Sequence, residues 1–537
     1  MKDFYKKESP ILTLPSLAGG FTGSAAETYW LATYGGDNFE GSETSYRENP
    51  VIAVSSSGDV YIATNSASTD NNGVSGGNIL AKYNKKGVIQ WQRKTLCGTG
   101  SYSGTIAAVA TDSSDNVYIT GSTYNYFSGS GSHGDNVFLV KYNSSGTVQW
   151  ARMAGSTSGS WNQHVHAMDI DSSDNIWIAA SDNQIGQAYN KTHILLIQYN
   201  SSGTHQFSRH IGQPQSWPHR HIIPTSLAVG SDRYTICGHF TDQSNTDFRM
   251  FVFSALISNH TFTSPSKEIK GQYLGNQNQW YGKGVAHDSS GNIYIVGNSR
   301  PTNANHIVLF KYYDAGGYYD KAWQQFLVYQ SAQMEARDIK IDGDDNIYIM
   351  GFSTNDSNPY SQSSPMKNYV IAKYNSSGTL QWSRAMGTMI TYNQGLNAYY
   401  YQDNDWGLSL DILDDNVYFA GRTQSGGGRS SPSQSNNYSY DVLFAKVPND
   451  GSLAGYSGGG TAGTYDHNTN RAAPQIPIYY YDGGYTSSTM STYEVISSLP
   501  FYNTSGYDAS SAGYITSASV TPTVTTMDYD SYTTPME

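Results

Sequence analysis

The chain has 537 residues, a formal net charge of −12, only 14% charged residues, 54 glycines and 45 tyrosines. The negative charge argues against electrostatic binding to nucleic acid or to an anionic membrane surface. Few charges with abundant glycine and tyrosine are typical of short strands and tight turns rather than long helices. No run of about 18 apolar residues occurs, so no membrane span is predicted.

Residues 1–8 are charged and no apolar stretch follows them, so we expect no cleaved signal peptide. The two cysteines, Cys97 and Cys237, lie far apart and are predicted to be free thiols within strands. The chain contains no P-loop, Gly-x-Ser-x-Gly, His-Glu-x-x-His or Cys-x-x-Cys motif. We therefore predict no catalytic residue, no metal and no cofactor.

A short phrase, typified by residues 112–121, repeats along the chain. It consists of a polar turn followed by an apolar strand, and seven copies occur, with equivalent turn positions at Asp59, Asn116, Asn175, Arg233, Asn292, Asn346 and Asn416. The spacing is roughly 55 to 60 residues and longer in the last step, which is typical of blade-type arrays.

A second phrase lies between these copies, as in residues 79–93, where a strand ends in Lys-Tyr-Asn and a later strand carries Trp. Each period therefore holds two hairpins, or four strands, because alternating Val, Ile, Tyr and Trp suit a half-buried sheet. Four strands repeated seven times predict an all-β fold, a seven-bladed β-propeller.

Closure of the ring is predicted from the N-terminal side. Residues 29–36 match the Trp strand of the repeat, whereas the seventh copy lacks its Trp after Asp450. We expect residues 28–34 to complete the last blade. The domain map is then a lead segment (1–25), the propeller (26–455) and an extended Gly/Ser/Thr/Tyr-rich C-terminal tail (456–537) that orders against the propeller or a neighbouring subunit.

Residues 288–297, with the Trp-x-Arg strand and its Gly turn, resemble the SBBP-type β-propeller repeat. Such repeats occur in secreted bacterial proteins and in structural or tail proteins of marine tailed phages (cyanophage-like). The family has no shared catalytic residues to transfer. Because no export signal is seen, the resemblance implies a virion protein, which is assembled inside the host cell.

The expected function is that of a non-enzymatic virion structural protein of a tailed phage, in the tail, a fibre or the particle surface. Its partners would be other virion proteins in an oligomeric assembly, together with a host-surface glycan or receptor. Two alternatives stay open. One is a bacterial surface or secreted propeller that binds glycan or protein, and the other is a glycan-cleaving enzyme with its site at the propeller mouth.

The acidic turns, such as residues 342–346 and 411–416, are predicted to be hairpin chemistry, because Asp and Asn bond their own backbone there. A calcium site is the alternative, although neither copy has the ligand pattern of an EF-hand loop. Trp91, Trp150 and Trp382 recur in register and are predicted to be blade core. Stacking candidates are the tryptophans out of register, namely Trp161, Trp217, Trp280 and Trp406.

The segments that enter the inner strands carry polar and aromatic residues that differ between copies. In a propeller these segments meet at one mouth of the central channel. A solvated loop face with hydrogen-bonded histidines is the favoured interpretation, and a ligand site at the mouth is the alternative. The candidate residues are His164, His166, His219, His221, Glu335, Arg337, Asp405 and Trp406, and equivalent positions hold Arg47, Glu48, Tyr281 and Lys283.

Overall fold

The computed structural model describes the residues 29–35, 50–69, 75–96, 104–124, 135–155, 162–183, 192–212, 219–242, 248–258, 266–269, 279–299, 306–314, 319–328, 333–354, 367–391, 400–402, 405–423, 441–452, 456–457, 478–482, 486–488, 495–499, 502–508, 516–519, 523–526 and 530–536. All regular elements in these ranges are β-strands. The predicted lead segment, 1–25, and Cys97 lie outside them.

The strands up to the end of the seventh repeat are β1 (Tyr29–Gly35), β2 (Val51–Val54), β3 (Val60–Thr69), β4 (Ser75–Tyr83), β5 (Ile89–Leu96), β6 (Thr105–Thr111), β7 (Val117–Tyr124), β8 (Asp135–Tyr142), β9 (Val148–Gly155), β10 (Gln163–Ile170), β11 (Ile176–Asp182), β12 (His193–Tyr199), β13 (His205–Gly212), β14 (His219–Val229), β15 (Arg233–Asp242), β16 (Phe248–Leu256), β17 (Ser266–Ile269), β18 (Trp280–His287), β19 (Ile293–Ser299), β20 (His306–Asp314), β21 (Tyr319–Val328), β22 (Gln333–Ile341), β23 (Ile347–Thr354), β24 (Lys367–Tyr374), β25 (Leu380–Thr391), β26 (Tyr400–Gln402), β27 (Asp405–Leu413), β28 (Asn416–Thr423) and β29 (Asp441–Pro448). The strands after them are β30 (Tyr456–Ser457), β31 (Ile478–Asp482), β32 (Thr486–Ser488), β33 (Val495–Leu499), β34 (Tyr502–Asp508), β35 (Thr516–Ser519), β36 (Thr523–Thr526) and β37 (Asp530–Met536).

Seven antiparallel sheets form the blades. Blade 1 is β2–β5, blade 2 is β6–β9, blade 3 is β10–β13, blade 4 is β14–β17, blade 5 is β18–β21, blade 6 is β22–β25, and blade 7 is β27–β29 with β1. The first strand of each blade, the inner strand, packs against the inner strands of both neighbouring blades, and β27 meets β2. The predicted seven-bladed propeller with four-stranded blades is therefore confirmed.

The ring closes through the N-terminal strand, as predicted. Strand β1 pairs antiparallel with β29, in the register Trp30↔Lys446 to Tyr34↔Val442. Both aromatic side chains are buried, and the Trp30 indole N–H donates to the carbonyl of Lys85 in blade 1 at 3.1 Å. Strand β1 thus joins blade 7 to blade 1.

Among the described residues, seven large hydrophobic clusters lie at the blade junctions, each shared by two adjacent blades, and a small eighth cluster contains Phe352, Trp406 and Leu408. Between blades 3 and 4, for example, Trp177 packs on Tyr234 at a ring separation of 5.3 Å. The remaining six large clusters occupy the other six blade junctions. A single blade exposes two apolar faces, so burial requires its neighbours on both sides.

The repeated acidic turn is explained by its hydrogen bonds. The Asp112 carboxylate accepts from the backbone N–H of Ser114 and Asn116 at 3.0 and 2.9 Å, from the Tyr118 hydroxyl at 2.9 Å, and lies 3.1 Å from the Lys141 ammonium. Asp115 has φ +58°, a left-handed conformation that Asp, Asn and Gly tolerate best. The Asp112 carboxylate therefore stabilises the hairpin.

The tryptophans of the fourth strands lie at the seams between blades and are half-buried. The Trp91 indole N–H donates to the Ser144 carbonyl at 3.0 Å, and Arg93 Nε donates to the Gly146 carbonyl at 2.9 Å. A Cβ on Gly146, which has φ +77°, would stand 2.9 Å from the Trp91 ring. The Trp-x-Arg phrase therefore fastens one blade to the turn of the next.

The chain beyond the seventh repeat adds a fifth strand to every blade. Strands β31 to β37 pair antiparallel with the outer strands of blades 6, 5, 4, 3, 2, 1 and 7, in that order. This part of the chain therefore runs around the rim of the propeller in the direction opposite to the order of the blades. The domain boundaries proposed from the sequence remain predictions.

Candidate functional site

The two faces of the propeller differ in how the strands are connected. One face, the turn face, carries the short hairpin turns, and neighbouring turns are bonded, as in Ser113 Oγ to Asp174 at 2.7 Å. At the other face, the loop face, strand ends are further apart in sequence, as between Tyr124 and Asp135 or between Thr354 and Lys367. The inner strands begin at the loop face, so the predicted site residues lie there.

A β-bulge occurs at an equivalent position in six of the inner strands. The register with the second strand skips one residue in each of β6, β10, β14, β18, β22 and β27, and the skipped residues are Ala107, His166, Thr225, Lys283, Arg337 and Leu408. Bulges re-aim a side chain and are common next to functional sites. In blade 1, Pro50 precedes the inner strand at the corresponding position.

The repeats provide an internal comparison of these positions. A residue needed only to build a blade should recur in most blades, as the turn aspartate does in four of them, at Asp112, Asp171, Asp288 and Asp342. The bulge positions instead hold apolar residues in blades 2 and 7, Ala107 and Leu408, and charged residues in blades 5 and 6. This asymmetry singles out the loop-face mouth of the channel on the side of blades 5 and 6.

Two of the four predicted histidines lie on β10. His166 Nε2 is 2.9 Å from Ser181 Oγ, and it also acts electrostatically on His239 of blade 4. His164 Nδ1 lies 3.0 Å from the Asp135 carboxylate of blade 2. His166 therefore belongs to the mouth, whereas His164 is directed to the neighbouring blade.

The other two histidines lie at the start of β14. His221 Nδ1 is 2.8 Å from the Thr192 hydroxyl of blade 3, so it bridges two blades at the rim. His219 is the first residue of β14, and its side chain lies outside the described part of the structure. The structure does not bring His164 and His221 onto the residues of blades 5 to 7.

Glu335 and Arg337 form an ion pair on β22. Arg337 Nη2 donates to Glu335 Oε2 at 3.0 Å, and both side chains are about one third exposed or less (27% and 33%). The guanidinium also lies 5.2 Å from the centre of the Phe352 ring. Arg337 Nε is buried and has no hydrogen-bond partner within the described ranges. The Arg337 side chain is 27% exposed, so it is accessible to a ligand at the mouth.

Trp406 is surrounded by cations. Its ring centre lies 4.5 Å from the Lys367 ammonium and 5.2 Å from the Arg422 guanidinium, and the ring packs with Phe352 and Leu408. Trp406 is 8% exposed, so the indole is largely covered by these neighbours. Asp405, the first residue of β27, is fully buried. Asp405 therefore supports the site rather than facing a ligand.

The remaining stacking candidates do not join this group. Trp280 begins β18 and is buried in the core between blades 4 and 5, contrary to the prediction that it lies in a loop. Trp161 and Trp217 lie outside the described residues. Cys237, in β15, is a buried free thiol, and burial raises its pKa to about 12.

A second cluster at the mouth was only partly foreseen. Lys283 Nζ lies 5.6 Å from the Tyr281 ring centre, and that ring packs with His239 at 5.1 Å and Phe248 at 4.9 Å. Burial, with the charge of Arg337, lowers the pKa of Lys283 to about 8. Burial, with the charges of Lys283 and His166, lowers the pKa of His239 to about 3. Since His239 and Phe248 lie on the second and third strands of blade 4, only three-dimensional packing places them here.

Deeper in the channel the charge is different. Asp169, Asp338 and Asp411 each accept the backbone N–H of the next inner strand, from Val229, Leu410 and Val54, at 2.7, 2.9 and 2.8 Å. Burial raises the pKa of Asp169 and of Asp338. Although burial opposes it, the three carboxylates raise the pKa of Lys340, which is exposed to the channel. The channel is thus acidic below a cationic mouth.

The charge at the mouth contrasts with that of the whole protein. Four cations, Lys283, Arg337, Lys367 and Arg422, lie near two carboxylates, Glu335 and Asp405. The protein as a whole carries a net charge of −12. The described residues contain no group of three or more His, Cys, Asp or Glu side chains placed to hold a metal ion. The arrangement of cations and aromatic rings suits an anionic ligand with apolar faces.

Comparison with known proteins supports the repeat. A family model described as "SBBP: Beta-propeller repeat" matches residues 269–300, which include β18 and β19. A search of curated proteins found no match. Within the described ranges, no helix has the length and apolarity that a membrane crossing requires. The SBBP resemblance is thus confirmed for this repeat.

Several solved structures are similar to this chain. One is a polysaccharide lyase of family PL25, an ulvan lyase, with 8% identity, a TM-score of 0.43 and coverage of 78% of this chain and 94% of that chain. The polysaccharide lyase Uly1 has 10% identity, a TM-score of 0.44 and coverage of 77% and 92%. A GH43_12 protein from a capybara gut metagenome has 8% identity, a TM-score of 0.26 and coverage of 78% and 98%. Likenesses this distant transfer no residue or substrate.

One prediction has to be corrected. The chain was predicted not to be an enzyme. That prediction is wrong, because polysaccharide lyases are among the solved structures similar to it over most of its length. The prediction relied on the absence of short motifs that mark other folds. In a propeller, acid–base residues come from separate blades and leave no local motif in the sequence.

Proposed function

We propose that the protein binds an anionic glycan at the mouth of the channel on the loop face. The observation that carries the proposal is the row of cation–aromatic pairs along blades 5 to 7. In these pairs Lys283 lies over Tyr281, Arg337 over Phe352, and Lys367 and Arg422 over Trp406. Carboxylate or sulfate groups would bind the cations, while sugar ring faces would pack on the aromatic and aliphatic surfaces.

The alternative to a binding site is that these cation–aromatic contacts only stabilise the blades. Such contacts do stabilise the blades elsewhere, since Lys82, Lys141 and Lys311 lie over tyrosines in blades 1, 2 and 5. Those lysines, however, also pair with an aspartate of the same blade, at 2.7, 3.1 and 3.5 Å. Lys283 has no such ion pair within the described part of the chain, which favours a ligand as its partner.

Binding assays with purified protein test the proposal. The panel would contain a uronate-containing polysaccharide, a sulfated polysaccharide and a neutral one, measured by calorimetry. Replacing Arg337 by Gln should weaken binding of the acidic glycan about 10- to 100-fold, the usual effect of losing a charged hydrogen bond. Lys86→Gln, at an exposed turn on the opposite face, is the matched control and should leave binding unchanged. Equal binding of the neutral glycan would refute the proposal.

The location of the protein, in a phage particle or at a bacterial surface, is a separate proposal. A tailed-phage particle that attaches to a host cell could display this mouth to surface glycans, with other virion proteins as its assembly partners. A bacterial surface or secreted protein would use the same mouth on an extracellular glycan. Mass spectrometry of purified phage particles, combined with immunolocalisation, distinguishes these locations, because only a virion protein is recovered with the capsid.

A further inference from the structure

The position of Lys283 is set by two flanking glycines. A Cβ on Gly282 would stand 2.7 Å from the Gly238 carbonyl of blade 4, and one on Gly284 would stand 2.7 Å from Ile339 of blade 6. Strand β18 is therefore packed tightly between its two neighbours at this point. The bulge between these glycines directs the one intervening side chain, that of Lys283, away from the regular pairing with β19.

The amine of Lys283 lacks the partners that other lysines of the repeat have. Within the described residues, the amine lies 5.6 Å from the Tyr281 ring centre and forms no hydrogen bond or ion pair. The charge of Arg337 acts on it against protonation, whereas Glu335 and Cys237 act in the opposite direction. The residue is partly exposed, although burial lowers the pKa of its amine. A lysine held in this way is suited to accept a proton rather than to carry a permanent charge.

Arg337 supplies the complementary group. It occupies the equivalent bulge position in blade 6, and its charge is close enough to disfavour protonation of Lys283. Among the described residues, its Nη2 atom donates to Glu335 at 3.0 Å and its Nε forms no hydrogen bond. Because the charge of Arg337 acts on Lys283, a carboxylate bound by this guanidinium would lie close to the Lys283 amine. Neutralising a carboxylate makes the proton on the adjacent carbon easier to remove.

Resting on the proposed function, we propose that Lys283 is the catalytic base of a β-elimination that cleaves a uronate-containing glycan at this mouth, with Arg337 binding the uronate carboxylate. The Lys283 amine takes the proton from the carbon that bears the carboxylate. The electron pair of that C–H bond becomes the second bond of a carbon–carbon double bond. The bond to the neighbouring glycosidic oxygen breaks, and that oxygen leaves with its electron pair and takes a proton from water.

The balance of this step needs no further reactant. Lys283 returns its proton to water, so the net reaction divides one chain into a saturated and an unsaturated end. His239 is a poorer base at this site, because burial holds its pKa at about 3. In the channel below, the carboxyl groups of Asp169, Asp338 and Asp411 outnumber the one cation among them, Lys340, which disfavours entry of a uronate.

The test is an assay for the unsaturated product with full-length protein and a uronate-containing polysaccharide. Product is followed by its ultraviolet absorbance and by mass spectrometry of the fragments. Lys283→Met should lower the rate at least about 100-fold, as expected for loss of a general base. Lys283→Arg keeps the charge but is not deprotonated, so it should bind the glycan and fail to cleave it. Lys86→Met, on the turn face, should leave the rate unchanged.

A pH profile adds a readout that a structural role would not move. The wild-type rate should rise with pH and level off above about 8, because the uncharged amine of Lys283 is the active form. Acidic-glycan binding without unsaturated product overturns this inference and leaves the proposed function intact. Absence of acidic-glycan binding overturns both. Cleavage by Lys283→Arg at the wild-type rate also overturns the assignment of Lys283.

Discussion

Asp112 and Lys283 show how the same physical variable, burial, serves two purposes at the scale of single residues. The Asp112 carboxylate is buried among donors from its own hairpin and is bonded on both oxygens. The Lys283 amine is half-buried without a comparable partner in the described ranges. A satisfied buried charge stabilises the fold, whereas a partly desolvated and unpaired one is available for chemistry.

The first prediction concerns Asp112. Burial opposes ionisation of this carboxyl, but hydrogen bonds from Asn116, Lys141 and Tyr118 prevail and lower its pKa. The ionised form is therefore stabilised by folding. We expect Asp112→Asn to lower the free energy of unfolding by about 1.5–3 kcal/mol at pH 7, the value of charged hydrogen bonds. Urea unfolding monitored by circular dichroism measures it.

The pH dependence of that loss follows from the sign of the shift. A lowered folded-state pKa contributes stability above the unfolded value, about 3.9, and that contribution disappears as the pH falls through the folded value. The difference between wild type and Asp112→Asn should therefore shrink below about pH 4. Asp115→Asn, a more exposed carboxylate in the same turn, is the control and should cost less than about 0.5 kcal/mol. An equal loss for both variants would contradict this account.

At the scale of elements, the hairpin turns and the bulged inner strands have different structural roles. The turns are alike in most blades, because each must reverse the chain and bond the next turn. The bulges share a position while their side chains differ, from Ala107 to Lys283 and Arg337. The repeat therefore fixes where a side chain enters the mouth and leaves its chemistry free to vary.

The second prediction concerns strand β1. Deleting residues 1–36 removes the buried Trp30 and Tyr34 and leaves β29 without its partner. We expect a clear drop in the thermal unfolding midpoint, and Trp30→Ala alone should cost about 3–5 kcal/mol, as for other buried aromatic residues. Deleting residues 1–25 is the control, because it spares β1. An unchanged transition after deletion of 1–36 would rule out closure by this strand.

At the scale of the whole molecule, charge is segregated. The protein carries a net charge of −12, yet the cation–aromatic pairs gather on one side of the loop-face mouth. The net negative charge disfavours an acidic polymer over the protein as a whole, so the local cations also influence where it binds. The acidic channel beneath confines the ligand to the mouth.

The third prediction follows from this segregation. Affinity for the acidic glycan should fall about tenfold or more as salt is raised from about 0.1 M to 1 M, because the Debye length shrinks from about 10 to 3 Å. Titration calorimetry at several salt concentrations measures this. The remaining binding of Arg337→Gln should depend less steeply on salt than that of wild type. Affinity independent of salt would argue that the ligand is held by stacking alone.

Much of the fold could be predicted because the same local sequence pattern occurs seven times. The turn at Asp112, the positive φ at Asp115 and the closing strand with Trp30 are all local patterns. The site could be predicted only in part. His166, Glu335, Arg337 and Trp406 lie at the mouth, whereas His164 and His221 bond to neighbouring blades and Asp405 is buried.

The sequence by itself determined the architecture: strand periodicity, turn chemistry and a period of roughly 55 to 60 residues require blades, and seven blades close a ring. Tertiary structure alone decided which side chains meet at the mouth. Lys283 faces Arg337 of blade 6 and His239 of blade 4, residues far apart along the chain. Hydrogen-bond patterns along one strand are local and readable, but proximity between blades arises only when the ring closes and packs.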